Sequence, residues 1–150
     1  MKSHFLRRKA VIEKPIAVVF DFFSKAENLN LITPKDLQFA ITSQLPIEMK
    51  KGALIEYKIK LNGFSFHWQT EISEWNPPYS FVDTQLKGPY KIWIHQHSFV
   101  DKGTYTEMYD TVEFLSPGWI LEPLINRFFV EKKVKEIFDF RESRLKELFA

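Results

Sequence analysis

The stretch FVDTQLKGPYKIWIHQHSFVDKGTYTEMYDTVEFL, from Phe81 to Leu115, decides the fold. It reads as three strands: Phe81 to Leu86, Tyr90 to Val100 and Thr104 to Leu115. Lys87-Gly88-Pro89 and Asp101-Lys102-Gly103 separate them, and both carry residues that favour turns over ladders. In the last strand Glu107, Thr111 and Glu113 alternate with Met108, Val112 and Phe114. That period of two marks a sheet with one wet face and one covered face.

Upstream, Leu54, Glu56, Lys58 and Lys60 alternate with Ile55, Tyr57, Ile59 and Leu61. Asn62-Gly63 then supplies the residues of a tight type I′ hairpin. Phe64 to Trp75 is the return strand, and Asn76-Pro77-Pro78 stops it because proline cannot donate to a ladder. Leu37, Phe39 and Ile41 alternate as a further strand, and Phe5 to Glu13 reads as the first. After it, Pro15 suits a helix start, followed by Ile16, Val19, Phe20 and Phe23 at helical spacing. Ser24-Lys25-Ala26-Glu27 has the spacing of a capping box and predicts a second short helix, ending before Pro34. From about Ile120 to Phe149 apolar residues recur at helical spacing, which predicts one helix of about 28 residues, roughly 40 Å long.

The 150 residues suit one domain, 1–150. A net charge of +2, from 21 Lys and Arg against 19 Asp and Glu, is too small to imply a polyanionic partner. The short basic clusters Arg7-Arg8-Lys9 and Lys132-Lys133-Lys135 read as solvated faces, and no nucleic acid is expected. The absence of cysteine excludes a disulfide scaffold, a thiolate metal site and a Cys nucleophile. No apolar stretch follows the basic start, and no run reaches a membrane span, so a cytoplasmic protein without stable membrane insertion is expected. With 15 Phe, 5 Tyr and 4 Trp, the chain has either a bulky core or a large aromatic-lined pocket.

The order strand, helix, helix, six strands, long helix gives an α+β chain whose long helix must bury its stripe on an antiparallel sheet. The chain resembles the START-related, Bet v 1-like (SRPBCC) superfamily, which also holds polyketide cyclases and aromatases. Within it, Trp75-Asn76-Pro77-Pro78, Phe81-x-Asp83-x-Gln85, Gly88-Pro89, Trp93-x-His95-x-His97-x-Phe99 and Asp110 resemble a bacterial ligand-binding branch with no agreed reaction. The resemblance implies a helix-grip fold: a curved seven-stranded antiparallel sheet around the C-terminal helix, with two short helices after strand 1. It also implies binding of a small hydrophobic molecule such as a lipid, a polyketide-like aromatic or an isoprenoid.

With three-residue and two-residue turns, Asp83 faces Trp93, Phe81 faces His95, His97 faces Met108 and His95 faces Asp110. One face then carries Phe81, Asp83, Gln85, Trp93, His95, His97, Phe99, Met108, Asp110, Val112 and Phe114, and the long helix is expected to cover it. Ile92 and Ile94 fall on the outer face, against the pattern. Buried without partners, five such polar groups would each cost several kcal/mol, so they are expected to line a hollow. Trp68 and Thr70 join them, Phe128 and Phe129 are expected to close the mouth, and Trp119-Ile120-Leu121 reads as helix-start packing, with a lid or a membrane contact as alternatives.

Ligand binding is thus assigned to Trp68, Thr70, Asp83, Gln85, Trp93, His95, His97, Phe99, Met108, Asp110 and Phe128. For His95 and Asp110 a structural cross-strand pair is equally open. His95-x-His97 invites a metal, but no third ligand among Asp110, Asp83 and His67 has clear spacing; neither metal nor cofactor is assigned. The alternative is a cyclase, dehydratase or hydrolase using His95 or His97 as acid/base with Asp110 holding the tautomer. A regulatory protein-interaction domain is a further alternative, and either a monomer or a homodimer is compatible with the sequence.

Overall fold

The computed structural model describes residues 3–61, 63–116 and 130–150. Strand β1 (His4–Ile12) leads to helix α1 (Ile16–Phe23), and strand β2 (Ala40–Ile41) follows two 3₁₀ segments, Ala26–Ile32 and Lys35–Leu37. The meander comprises β3 (Leu54–Leu61), β4 (Phe64–Asn76), β5 (Ser80–Lys87), β6 (Ile92–Asp101) and β7 (Thr106–Leu115), and helix α2 spans Glu131–Leu148. The seven strands form one antiparallel sheet in the order β1-β7-β6-β5-β4-β3-β2. Trp119-Ile120-Leu121, Phe128, Phe129 and the first part of the expected long helix lie outside the described residues. None of the helices among them is long and apolar enough to cross a membrane.

The period-two pattern is clear on β4, β6 and β7. Trp68, Thr70 and Ile72 of β4, His95, His97 and Phe99 of β6, and Met108, Asp110, Val112 and Phe114 of β7 are all buried. Their neighbours Ile94 and Tyr109 look outward and are exposed. Helix α2 presents Val134, Phe138, Arg141 and Leu145 to this face, positions three or four apart on one stripe. Helix α1 buries Ile16, Val19, Phe20 and Phe23. The Phe20 ring meets Trp75, Phe81 and Phe99 with centroids 5.1, 6.0 and 5.5 Å away, closing one end of the core with aromatic packing.

Three expectations are corrected. The register of β5 against β6 and of β6 against β7 is two residues from that predicted: Asp83 pairs with His95, Phe81 with His97, His97 with Asp110, and Phe99 with Met108. The connections are longer than the sequence turns. After Asp101 pairs with Thr106, residues 102–105 form a loop in which Gly103 adopts φ 82° and donates its N–H to Asp101 Oδ1 at 2.8 Å. A two-residue slip keeps every side chain on its face, so the inward set survives.

Ser24 does not cap a second α-helix. Its N–H reaches Phe20 O at 2.9 Å and its hydroxyl donates to Asp21 O at 2.7 Å, so it closes α1 instead. The segment that follows is 3₁₀. The strand expected around Leu37 and Phe39 is only the two-residue β2, since Leu37 ends a 3₁₀ turn and Gln38 takes φ 48°.

Candidate functional site

Beneath α2 and the Ala26–Ile32 segment the sheet encloses a cavity of about 140 Å³, roughly ten times the minimum for one water. Ile55, Ile59 and Leu61 of β3, Trp68 and Ile72 of β4, and Ile137 and Phe138 of α2 give it apolar walls. Tyr57 stacks on Trp68 at 5.5 Å, and Trp93 meets the Trp68 ring edge-on at 5.5 Å. Tyr57 and Thr70 hydroxyls lie 3.4 Å apart on this wall, and burial pushes the Tyr57 and Tyr90 phenols up from their ordinary range. The indole Nε1 of Trp68 is buried without a partner among the described residues.

One corner is charged. Because β6 pairs with both β5 and β7, the inward side chains of residues 83, 95, 97 and 110 fall together. His95 Nε2 lies 2.7 Å from Asp110 Oδ1, and His97 Nε2 lies 2.6 Å from Asp83 Oδ2. From α2, Arg141 Nη2 lies 3.3 Å from Asp110 Oδ1 and 3.3 Å from His97 Nδ1. This geometry assigns the His97 tautomer: Nδ1 accepts from the guanidinium, so Nε2–H donates to Asp83. His95 donates Nε2–H to Asp110, and its Nδ1 stands 3.8 Å from Asp83 Oδ2, too far for a hydrogen bond. The two imidazoles stack with centroids 3.6 Å apart, and Phe81 stacks on His97 at 4.0 Å.

The electrostatics follow from burial and neighbours. Burial works to raise the Asp110 carboxyl, but Arg141 and the His95 hydrogen bond together hold it well below the usual carboxylate range. Burial lifts Asp83 above that range, against the pull of His95 and Arg141. Burial, helped by His95 and Arg141, keeps His97 well below the ordinary imidazole value, with Asp110 opposing. His97 is therefore neutral and Asp110 ionised near neutral pH.

The sequence-selected residues do not all reach the cavity. Trp68, Thr70, Asp83, Trp93, His95 and His97 line the cavity, and Asp110 stands behind the histidines as their partner. Phe99 and Met108 pack in the apolar cluster with Phe20 and Phe23. Gln85 acts on the backbone: its Nε2 donates to Tyr90 O at 2.6 Å and its Oε1 accepts from Tyr90 N–H at 3.2 Å. Phe128 lies outside the described residues.

Arg141, Tyr57, Tyr90 and Phe138 line the cavity and were not singled out by the sequence. A signal for Arg141 existed, since it is a cation on the stripe of Val134, Phe138 and Leu145. The tyrosines carried only the alternation of their strands.

For a metal, Asp83, His95 and His97 offer ligand atoms within 4.8 Å of one another. The imidazole planes, only 27° apart, do not aim both lone pairs at one point, and the Arg141 guanidinium adds a cation beside them. The set fits hydrogen bonding better than coordination. His67 is remote from it, on the outer face beside Glu56 at 3.5 Å.

No protein-family model matches the sequence, and no curated protein matches it. Solved structures do resemble it. The Zhui aromatase/cyclase from Streptomyces sp. R1128 superposes with a TM-score of 0.77 at 13% identity, covering 97% of this chain and 92% of its own. A START superfamily protein from Mycobacterium smegmatis gives 0.70 at 11% identity, with 97% and 99% covered. Ginseng major latex-like protein 151 from Panax ginseng gives 0.69 at 13% identity, with 99% of each chain covered. At such identities the likeness is one of fold, and the chain has the helix-grip fold of START and Bet v 1-like proteins.

Proposed function

We propose that the chain binds a small hydrophobic molecule, of the size class of a lipid, a polyketide-like aromatic or an isoprenoid, between the sheet and α2. The observation that carries this reading is the cavity, whose apolar walls meet one charged corner. Apolar walls hold a ligand by the area they remove from water, and a few fixed polar groups set its orientation. Trp68, Trp93 and Phe138 supply the first function; Asp83, His95, His97 and Asp110 supply the second. Native mass spectrometry of protein purified from its own cells tests this. A retained apolar molecule supports it; an empty protein that binds no apolar probe at micromolar concentration overturns it.

One observation favours a second reading, in which the chain is a cyclase, dehydratase or hydrolase. His95 is fixed by Asp110 at 2.7 Å and lines the cavity, and its Nδ1 makes no hydrogen bond among the described residues, the arrangement of an oriented general base. Asp110 would stabilise the imidazolium formed when Nδ1 takes a proton. A positioned His contributes roughly 10² to 10⁴ in rate. Turnover of a polyketide-like substrate that survives combined His95→Asn and His97→Asn substitution eliminates this mechanism.

A further inference from the structure

Resting on the ligand-binding reading, we propose that the ligand ends in an anionic oxygen group, of carboxylate or sulfonate type, and that Arg141 is the residue that receives it. A guanidinium carries five N–H donors. Among the described residues only Nη2 of Arg141 is engaged, with Asp110 Oδ1 and His97 Nδ1, each at 3.3 Å. Nε is buried without a partner, and Nη1 makes no hydrogen bond among the described residues. Arg141 is only 7% exposed, yet it forms part of the cavity wall. Unmatched donors on a buried cation are costly, and an oxygen anion matches the guanidinium fork better than any neutral group does.

The surroundings prepare the group for that role. The Phe23 and Phe138 rings lie 5.3 and 5.5 Å from the guanidinium carbon and fix its position without engaging its N–H groups. Asp110 Oδ1 accepts from both His95 and Arg141, so the guanidinium does not hold that oxygen alone. The other carboxyl at the cavity, Asp83, is pushed by burial toward its uncharged form and so offers less repulsion to an incoming anion.

Two fluorescent probes separate recognition of an anion from simple filling of the cavity. Anilinonaphthalene sulfonate and N-phenylnaphthylamine share one ring scaffold and differ by the sulfonate. Affinities are measured for wild type, for Asp110→Asn, and for the double variant Arg141→Met with Asp110→Asn, which leaves no unpaired buried carboxylate. Circular dichroism confirms that each is folded. The expected result is a preference for the sulfonate of roughly tenfold or more in wild type, larger in Asp110→Asn and lost in the double variant. Equal binding of both probes, or a preference that survives the double variant, overturns the proposal while ligand binding stands. Failure of both probes to bind wild type overturns the ligand-binding reading and this inference with it.

Discussion

Arg141 of α2 and Asp110 of β7 face each other across the core, Nη2 to Oδ1 at 3.3 Å, both more than nine-tenths buried. This ion pair ties the helix to the sheet at the charged corner of the cavity. Removing one member of such a pair leaves an uncompensated charge, typically at a cost of about 3–5 kcal/mol. Arg141→Met is therefore expected to lower Tm by roughly 6 to 20 °C. Adding Asp110→Asn recovers much of the loss. Thermal unfolding of the two single variants and the double variant checks this, and additive losses would show that the pair does not act as a unit.

Stability falls on the acid side through His97. Its folded value is depressed, so below about pH 6.5 the unfolded chain takes up a proton that the fold excludes. Asp110 adds a second loss at lower pH: its carboxyl is held below the usual range, and its contribution disappears as pH falls through the folded value. Tm of wild type is expected to drop more between about pH 7.5 and about pH 5 than Tm of His97→Gln. Parallel pH profiles would refute the assignment of a neutral His97.

Asp83 behaves in the opposite sense. Its carboxyl is raised by burial, so the ionised form is a cost to the fold that disappears as pH falls through its folded value. Asp83→Asn keeps an acceptor for His97 Nε2–H, 2.6 Å from the present oxygen, and carries no charge. It is expected to raise Tm at alkaline pH, with the gain shrinking toward acid. A gain that grows on acidification would contradict this.

Gly88 and Gln85 form one local device. A Cβ at residue 88 would run into Gln85 Oε1 and displace the amide that holds both backbone groups of Tyr90. Gly88→Ala and Gln85→Ala should each cost about 1–3 kcal/mol, the value of two hydrogen bonds. Because they break the same bonds, the double variant should be barely worse than either single one in denaturant unfolding. Fully additive costs would separate the two residues.

Filling the cavity should remove binding and spare the fold. Ile55 is 2% exposed and lines the cavity from β3. Ile55→Trp is expected to cost about 1–3 kcal/mol by overpacking and to weaken N-phenylnaphthylamine at least tenfold. Unchanged probe affinity would place the binding elsewhere.

The amino-acid sequence by itself determined which residues of the central strands face inward. Side chains alternate with a period of two, so the patterns from Ile55 to Leu61 and from Met108 to Phe114 name a face whatever the pairing. The same periodicity is blind to an even slip. Only the loop after Asp101 decided that His97, and not His95, pairs with Asp110 in the ladder, and only the connection held by the Gln85 amide at Tyr90 decided that Asp83 pairs with His95. Likewise, an arginine on an apolar helical stripe acquires meaning only when the opposing surface is known. Docking α2 on β6 and β7 brings Arg141 to Asp110 and His97, residues distant in the chain, and no local pattern encodes a contact made by tertiary packing.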